Sequence, residues 1–227
     1  MTDAQQNFQS LSQQRRAKSA VRLVDDDPSV LKALSVFLTF DGWTVRTYDD
    51  ANAFLSKDDL QTPGCLVLDV RMPQMSGIEL QNEMHRRGIR LPIIFLSAHG
   101  DIEMAVEAVQ RGARTFLTKP PKPEKLLAEI EKATLADWSR RQTENYAESL
   151  DAQWRELTPA EKQVAMMVGK GLSNAMIAET LGVGERTVRA QRAAIYGKLD
   201  IENAVELADF LHERQEAKQT LGLESGE

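Results

Sequence analysis

The chain has a single cysteine, Cys65, among its 227 residues, which excludes an intramolecular disulfide and a cysteine-rich zinc site. Cys65 sits within an apolar run, so burial is expected for it. Long hydrophobic stretches are also lacking: no apolar run approaches the roughly 18 residues that a membrane span needs. The polar, glutamine-rich stretch from Met1 to Lys18 lacks the apolar segment of a secretory signal. A cytoplasmic protein with a disordered N-terminal tail over residues 1–19 is therefore expected. Positive charge is in deficit, with a formal net charge of −6, which taken alone argues against nucleic acid, because phosphate binding calls for a positive surface. The location of the charges matters more than their sum.

What is present is ordinary in kind. The 42% hydrophobic and 27% charged residues exclude global disorder and a fibrous repeat, and the length suffices for two modest domains or one large one. From Ala20 to about Ala133, short apolar runs alternate with helical patterns. Val21–Val24, Thr44–Tyr48, Cys65–Asp69, Pro92–Ser97 and Thr115–Leu117 are the candidate strands. Helices are expected to start near Pro28, Asn52, Gly77, Ile102 and Pro123. Such alternation predicts a parallel sheet covered on both faces.

In an open sheet of this kind the functional crevice lies beyond the carboxyl ends of the strands. The first strand ends in Asp25-Asp26-Asp27, the third in Asp69, the fourth in Ser97, and the fifth is followed by Lys119-Pro120. Asp25, Asp26 and Asp69 repel one another unless a cation joins them, and oxygen ligands of this type suit Mg2+. Lys119 can neutralise an incoming phosphoryl group, the Ser97 hydroxyl can donate to it, and one carboxylate can act as nucleophile to give an aspartyl phosphate. Each residue has a plainer reading as well: Asp27 caps the helix at Pro28, Ser97 alone is a structural hydroxyl, and Lys119 alone a solvated charge. Their joint placement favours the chemical reading.

These motifs resemble the receiver domain of two-component response regulators: Leu23-Val24-Asp25-Asp26-Asp27, Leu68-Asp69-Val70-Arg71-Met72-Pro73 with Ser76-Gly77, Ser97-Ala98-His99-Gly100 and Lys119-Pro120. The resemblance covers roughly Val21 to Ala133. It implies a flavodoxin-like, doubly wound α/β fold with a five-stranded parallel sheet. It also implies that Asp69 is the phosphoacceptor, that Asp25 and Asp26 form the acidic pair, and that Asp26 and Asp69 hold magnesium with the backbone carbonyl of Arg71. By the same resemblance Ser97 is the switch hydroxyl, Lys119 the phosphate-binding lysine and Phe116 the switch aromatic, although Phe116 also reads as an ordinary core residue. Movement of Ser97 and Phe116 then alters the face made by the fourth helix, fifth strand and fifth helix. Arg71 and His99 stand where the family varies the lifetime of its acyl phosphate, and the Lys119-Pro120 bond resembles one that is cis in receivers.

After Ala133 the strand signal disappears. Glu124 to about Leu150 lacks Gly and Pro and reads as one long or broken helix, of which 134–154 is expected to be a linker. Thr158-Pro159-Ala160-Glu161 has the order that starts a helix, ending at Gly169 or Gly171. Ser173 caps the next, running to Leu181. Gly182-Val183-Gly184 is a tight turn, followed by helices from about Glu185 to Leu199 and from Asn203 to about His212. Two short helices on a glycine-containing turn make a helix-turn-helix. Residues 155–213 are thus expected to be an all-α four-helix domain and 214–227 a flexible tail.

The segment Leu157 to Leu211 resembles the LuxR-type DNA-binding domain that ends NarL/FixJ regulators, through Leu157-Thr158-Pro159 with Glu161, Gly171-Leu172-Ser173-Asn174 with Ile177-Ala178, Leu181-Gly182-Val183, Arg186-Thr187-Val188 and Lys198-Leu199. The expected recognition helix carries Arg186, Arg189, Arg192 and Lys198 against the single acid Glu185, which reconciles the acidic whole with a DNA partner. Arg189 suits bidentate contact to guanine. Arg186, Arg192 and Lys198 are expected at phosphates, with Thr187 adding one contact, and Val188 and Ile195 in the core. Gln191, Ala190 and Ala193 depart from the common pattern, where a histidine and larger side chains are found.

The whole reads as a transcriptional regulator: a sensor histidine kinase phosphorylates Asp69, the receiver changes its helical face, and a homodimer binds two half-sites on double-stranded DNA, with RNA polymerase as a further partner; phosphorylation acts by forming the dimer, by releasing a masked DNA-binding domain, or by both. The chain is then no enzyme, beyond self-phosphorylation and autodephosphorylation. A phosphatase with an aspartyl-phosphate intermediate would need a substrate-covering cap and a second aspartate two residues after the nucleophile, and position 71 is Arg. An interaction adaptor without DNA leaves the recognition-helix cations unexplained.

Overall fold

Apolar runs become strands and the segments between the first four of them become helices, as the alternation predicts: β1 (Ala20–Val24), α1 (Pro28–Phe40), β2 (Thr44–Tyr48), α2 (Ala51–Lys57), β3 (Gly64–Asp69), α3 (Gly77–Arg86), β4 (Ile93–Ser97) and β5 (Thr115–Thr118). The computed structural model describes residues 13–98 and 112–221. The helix expected from Ile102 and the residue His99 fall outside the described residues. The chain divides into two compact units, Met1–Arg140 and Arg141–Glu227, and each is described by itself.

In the first unit the strands run parallel in the order β2-β1-β3-β4-β5, the flavodoxin-like winding. Every residue of β1, β3 and β4 is buried, because helices cover both faces of a parallel sheet. Side chains alternate between those faces along β3. Leu66 and Leu68 pack with Phe54, Leu80 and Phe95, whereas Cys65 and Val67 pack with Leu38, Ile94, Leu126 and Ile130. Local chemistry sets the helix starts. The Asp27 carboxylate accepts the Ser29 N–H ahead of Pro28, and a capping box of Ser76 and Glu79 opens α3.

The next helix, α4 (Pro123–Arg155), is one uninterrupted element of 33 residues. Of the helical stretch expected over 134–154, residues 134–140 fall in the first unit and the rest in the second. Thr134 and Asp137 are buried in the first unit, where Asp137 Oδ2 accepts the Gly64 N–H at 3.0 Å and Trp138 Nε1 donates to Ser19 Oγ at 2.8 Å. Ala147 and Leu150 instead join the core of the second unit. The tail expected over 1–19 needs correction over 13–19, the part of it that lies among the described residues. Residues 13–17 are helical, and Arg16 reaches Asp41 at 3.0 Å and Glu131 at 3.1 Å while lying over the Trp43 ring. Two carboxylates and an aromatic face hold what composition alone marked as loose.

The second unit contains α5 (Pro159–Gly169), α6 (Asn174–Leu181), α7 (Glu185–Leu199) and α8 (Ala204–Thr220). Val164, Val168, Ile177, Val188, Ile195, Leu199, Leu207 and Phe210 form its core. Gly182 closes α6 in the left-handed conformation, φ +65°, which glycine adopts without steric cost. The flexible tail expected over 214–227 is corrected over 214–221, its described part. Helix α8 continues to Thr220, buries Ala217, and pairs Arg214 and Lys218 with Asp151 at 2.6 and 3.3 Å.

Candidate functional site

Register brings the acidic residues together. Val24 pairs with Leu68, Asp69 with Leu96 and Ser97 with Thr118, so Asp25, Asp69, Ser97 and Lys119 all emerge at the carboxyl edge of the sheet. The Lys119 ammonium bridges Asp25 Oδ2 at 2.6 Å and Asp69 Oδ1 at 2.7 Å. The other oxygen of each carboxylate is held by backbone: Asp25 Oδ1 accepts the Asp27 N–H and Asp69 Oδ2 the Arg71 N–H. Lys119 is positioned in turn by its own N–H, which donates to the Ser97 carbonyl at 2.7 Å, and the Lys119–Pro120 bond is cis.

Asp25 and Asp69 are buried while Asp26 is exposed, and one carboxylate oxygen from each lies within 4.8 Å of the others. Three hard oxygen donors, open to solvent on the Asp26 side, fit a magnesium ion that retains several waters. Burial is the largest influence on Asp69 and raises its pKa above the ordinary range, against the pull of Lys119. For Lys119, burial lowers the pKa, but hydrogen bonds to Asp25 and Asp69 outweigh it and the net shift is upward. The ammonium is therefore firmly charged beside Asp69.

Ser97 is buried at the end of β4 and its hydroxyl donates to the Ala98 carbonyl at 3.1 Å. Phe116, half-buried on β5, packs against the cluster containing Phe95 and Leu68. Gly77 is indispensable beside Asp69: a Cβ there would lie 2.2 Å from the Asp69 carbonyl oxygen.

The second candidate region is α7. Arg186, Thr187 and Arg189 are exposed and Val188 and Ile195 buried. Arg189 is 69% exposed and its guanidinium lies 3.4 Å from Glu185. The remaining two cations are engaged internally. Lys198 Nζ donates to Glu161 Oε2 at 2.7 Å and to the Glu156 carbonyl at 3.2 Å, and Arg192 donates to Asn174 and Tyr196. Asn174, Tyr196 and Glu156 are partners that the sequence reading did not assign. Composition offers no signal for them, since a charge on an amphipathic helix reads alike whether it faces solvent or a neighbour. Among the described residues, no helix is long and apolar enough to cross a membrane.

Comparison with known proteins bears on both units. Residues 21–131 match the family described as response regulator receiver domain, and residues 155–211 match bacterial regulatory proteins, luxR family. Response regulator protein TmoT of Ectopseudomonas mendocina is 38% identical over 190 residues, 84% of this chain and 86% of that protein. Transcriptional regulatory protein FixJ of Bradyrhizobium diazoefficiens is 36% identical over 190 residues, 84% of this chain and 93% of its own length. Among solved structures, response regulator StyR superimposes with a TM-score of 0.83 at 40% identity, covering 87% of this chain and 100% of that one. Full-length FixJ from B. japonicum does so with a TM-score of 0.54 at 34% identity, covering 87% and 98%.

Proposed function

Because this chain belongs to the two-component response regulators of the NarL/FixJ type, with a receiver domain and a LuxR-type DNA-binding domain, we propose that a sensor histidine kinase phosphorylates it on Asp69 and that this controls dimerisation and operator binding. The receiver is taken to begin at 20 and the DNA-binding domain at 155. The observation that carries the reading is the Lys119 ammonium shared between Asp25 and Asp69. It is a charge already placed where phosphoryl oxygens would need it.

In this reading an Asp69 oxygen attacks the phosphorus of a phosphohistidine; the P–N bond breaks as the P–O bond forms, leaving an acyl phosphate. Asp69 then gives up its half of the bridge, and Lys119 pairs with the phosphoryl oxygens. Ser97 turns its hydroxyl from the Ala98 carbonyl toward the phosphoryl group, and Phe116 follows into the space released, which changes the outer face of the receiver. Magnesium held by Asp25, Asp26, Asp69 and the backbone carbonyl of Arg71 would offset the charge of the incoming group. The chain acts as a phosphoacceptor in the cytoplasm and not as an enzyme on a separate substrate. Double-stranded DNA is contacted by Arg186, Thr187 and Arg189, the last at a guanine edge, by a homodimer that gains from two linked binding modules and works on RNA polymerase.

The test compares the unaltered chain with Asp69→Asn, with and without magnesium and a small phosphodonor, measuring dimer formation and DNA binding. Enhancement of both in the unaltered chain alone is the expected result. A phosphodonor that leaves both unchanged while DNA is still bound rejects phosphate control.

A further inference from the structure

The four cations of α7 divide into two kinds. Arg186 and Arg189 project into solvent from the first turns, whereas Arg192, half-buried on the same helix, spends its donors inside the domain. Arg192 Nη1 donates to Asn174 Oδ1 at 2.7 Å. Nη2 and Nε donate to Tyr196 Oη at 2.7 and 3.2 Å, and the guanidinium carbon sits 5.7 Å from the Tyr196 ring centroid. Tyr196 is not a loose surface partner, because it packs against the domain core. Asn174 is the first residue of α6.

That placement has a mechanical meaning. Helices α6 and α7 meet at the turn around Gly182, whose left-handed backbone sets the local path and leaves the angle between the helices to their packing. Asn174 lies a full helix length from that turn, about 12 Å for eight residues, and Arg192 lies about 10 Å beyond the start of α7. The Arg192–Asn174 bond therefore ties the far end of α6 to the middle of α7, well away from the turn, where a small change of angle at the turn is magnified.

We propose that Arg192 is a positioning residue for sequence-specific DNA recognition rather than a phosphate contact: it fixes the angle at which α7 presents Arg186 and Arg189. The proposal rests on the DNA-binding reading and deepens it. A charge-assisted bond to a fixed partner is stronger than a neutral one, and a guanidinium bound on three of its nitrogens is pre-organised for one geometry.

The two roles predict different salt behaviour. A lost phosphate contact lowers the slope of log K against log salt concentration by about 0.9 and weakens all sequences alike. A lost positioning residue leaves the slope in place and weakens the preferred sequence. The test uses the full chain, a duplex selected from a random pool by the unaltered protein, and a scrambled duplex of the same composition. Arg192→Ala is expected to lose roughly tenfold or more in affinity for the selected duplex, with the scrambled duplex and the salt slope unchanged. Asn174→Ala reproduces that loss, and the double variant loses little more. Arg192→Gln, neutral and too short to reach Asn174 from the position of Nη1, keeps the fold and loses discrimination as Arg192→Ala does, with the salt slope unchanged. A slope that falls by one phosphate in Arg192→Gln, with both duplexes weakened equally, overturns the proposal and leaves DNA binding intact. An unaltered chain that selects no duplex overturns both.

Discussion

Arg22 occupies the middle of β1 with no solvent exposure, and its ion-pair partner Asp58 is equally buried. The bond from Nε to Asp58 Oδ2 is 2.6 Å, and Nη2 donates to the carbonyls of Asp59 and Thr62 at 2.8 Å each. Asp58 also accepts the Tyr48 hydroxyl at 2.6 Å. Burial first and that bond second push the Tyr48 pKa up to about 12. Removing one partner of a buried pair strands the other charge, so Arg22→Leu is expected to destabilise the receiver by about 3–5 kcal/mol, read from the urea midpoint at constant slope. A loss below 1 kcal/mol would mean that Arg46 and Tyr48 carry Asp58 alone. At this scale legibility depends on sequence distance. Asp25, Asp69 and Lys119 are readable because each follows a recognisable strand. Asn174 and Glu161, which hold Arg192 and Lys198, lie 18 and 37 residues away from them, with nothing local to announce either bond.

The start of α5 shows an element held by its own sequence. Thr158 Oγ1 accepts the Glu161 N–H at 3.3 Å, and Glu161 Oε2 accepts the Thr158 N–H at 2.7 Å while receiving Lys198. Thr158→Ala is expected to cost about 1 kcal/mol in thermal unfolding. The Lys198 bond first, then the Thr158 N–H, hold the Glu161 pKa below the ordinary range. A depressed carboxylate stabilises the fold above its unfolded pKa, roughly 4.3, and that contribution disappears as pH falls through the folded value. The stability gap between the unaltered chain and Glu161→Gln is thus expected to be full at neutral pH and to close below about pH 4; a gap independent of pH would contradict it. The capping box was visible in the sequence, as were the strands to within a residue of their ends. The far end of α8 was not, because its apolar stripe stops at Leu211. Beyond it the helix rests on good helix formers, on the burial of Ala217 and on the ion pairs of Arg214 and Lys218 with Asp151, which no stripe of large apolar residues reveals.

For the molecule as a whole, an acidic chain with a net charge of −6 sets Arg186 and Arg189, both exposed, on one helix, and Asp25, Asp26 and Asp69 at one sheet edge. Composition averages over the two units and hides both. Asp137 marks how far the first unit extends. The receiver family match ends at residue 131, yet Asp137, 1% exposed, accepts the Gly64 N–H. Gly64 is itself pressed so tightly on β1 that a Cβ would lie 1.9 Å from the Ala20 carbonyl. A receiver fragment cut after Ala133 is expected to be less stable than one cut after Arg141 by about 1–3 kcal/mol, the cost of an unsatisfied buried donor, and equal urea midpoints would refute this. Exchange of modules between such regulators, in a laboratory chimaera or by recombination, therefore has to break the chain later than similarity to the family suggests. A break a few residues too early leaves a receiver that retains every residue of the acidic pocket and lacks the carboxylate that secures its third strand.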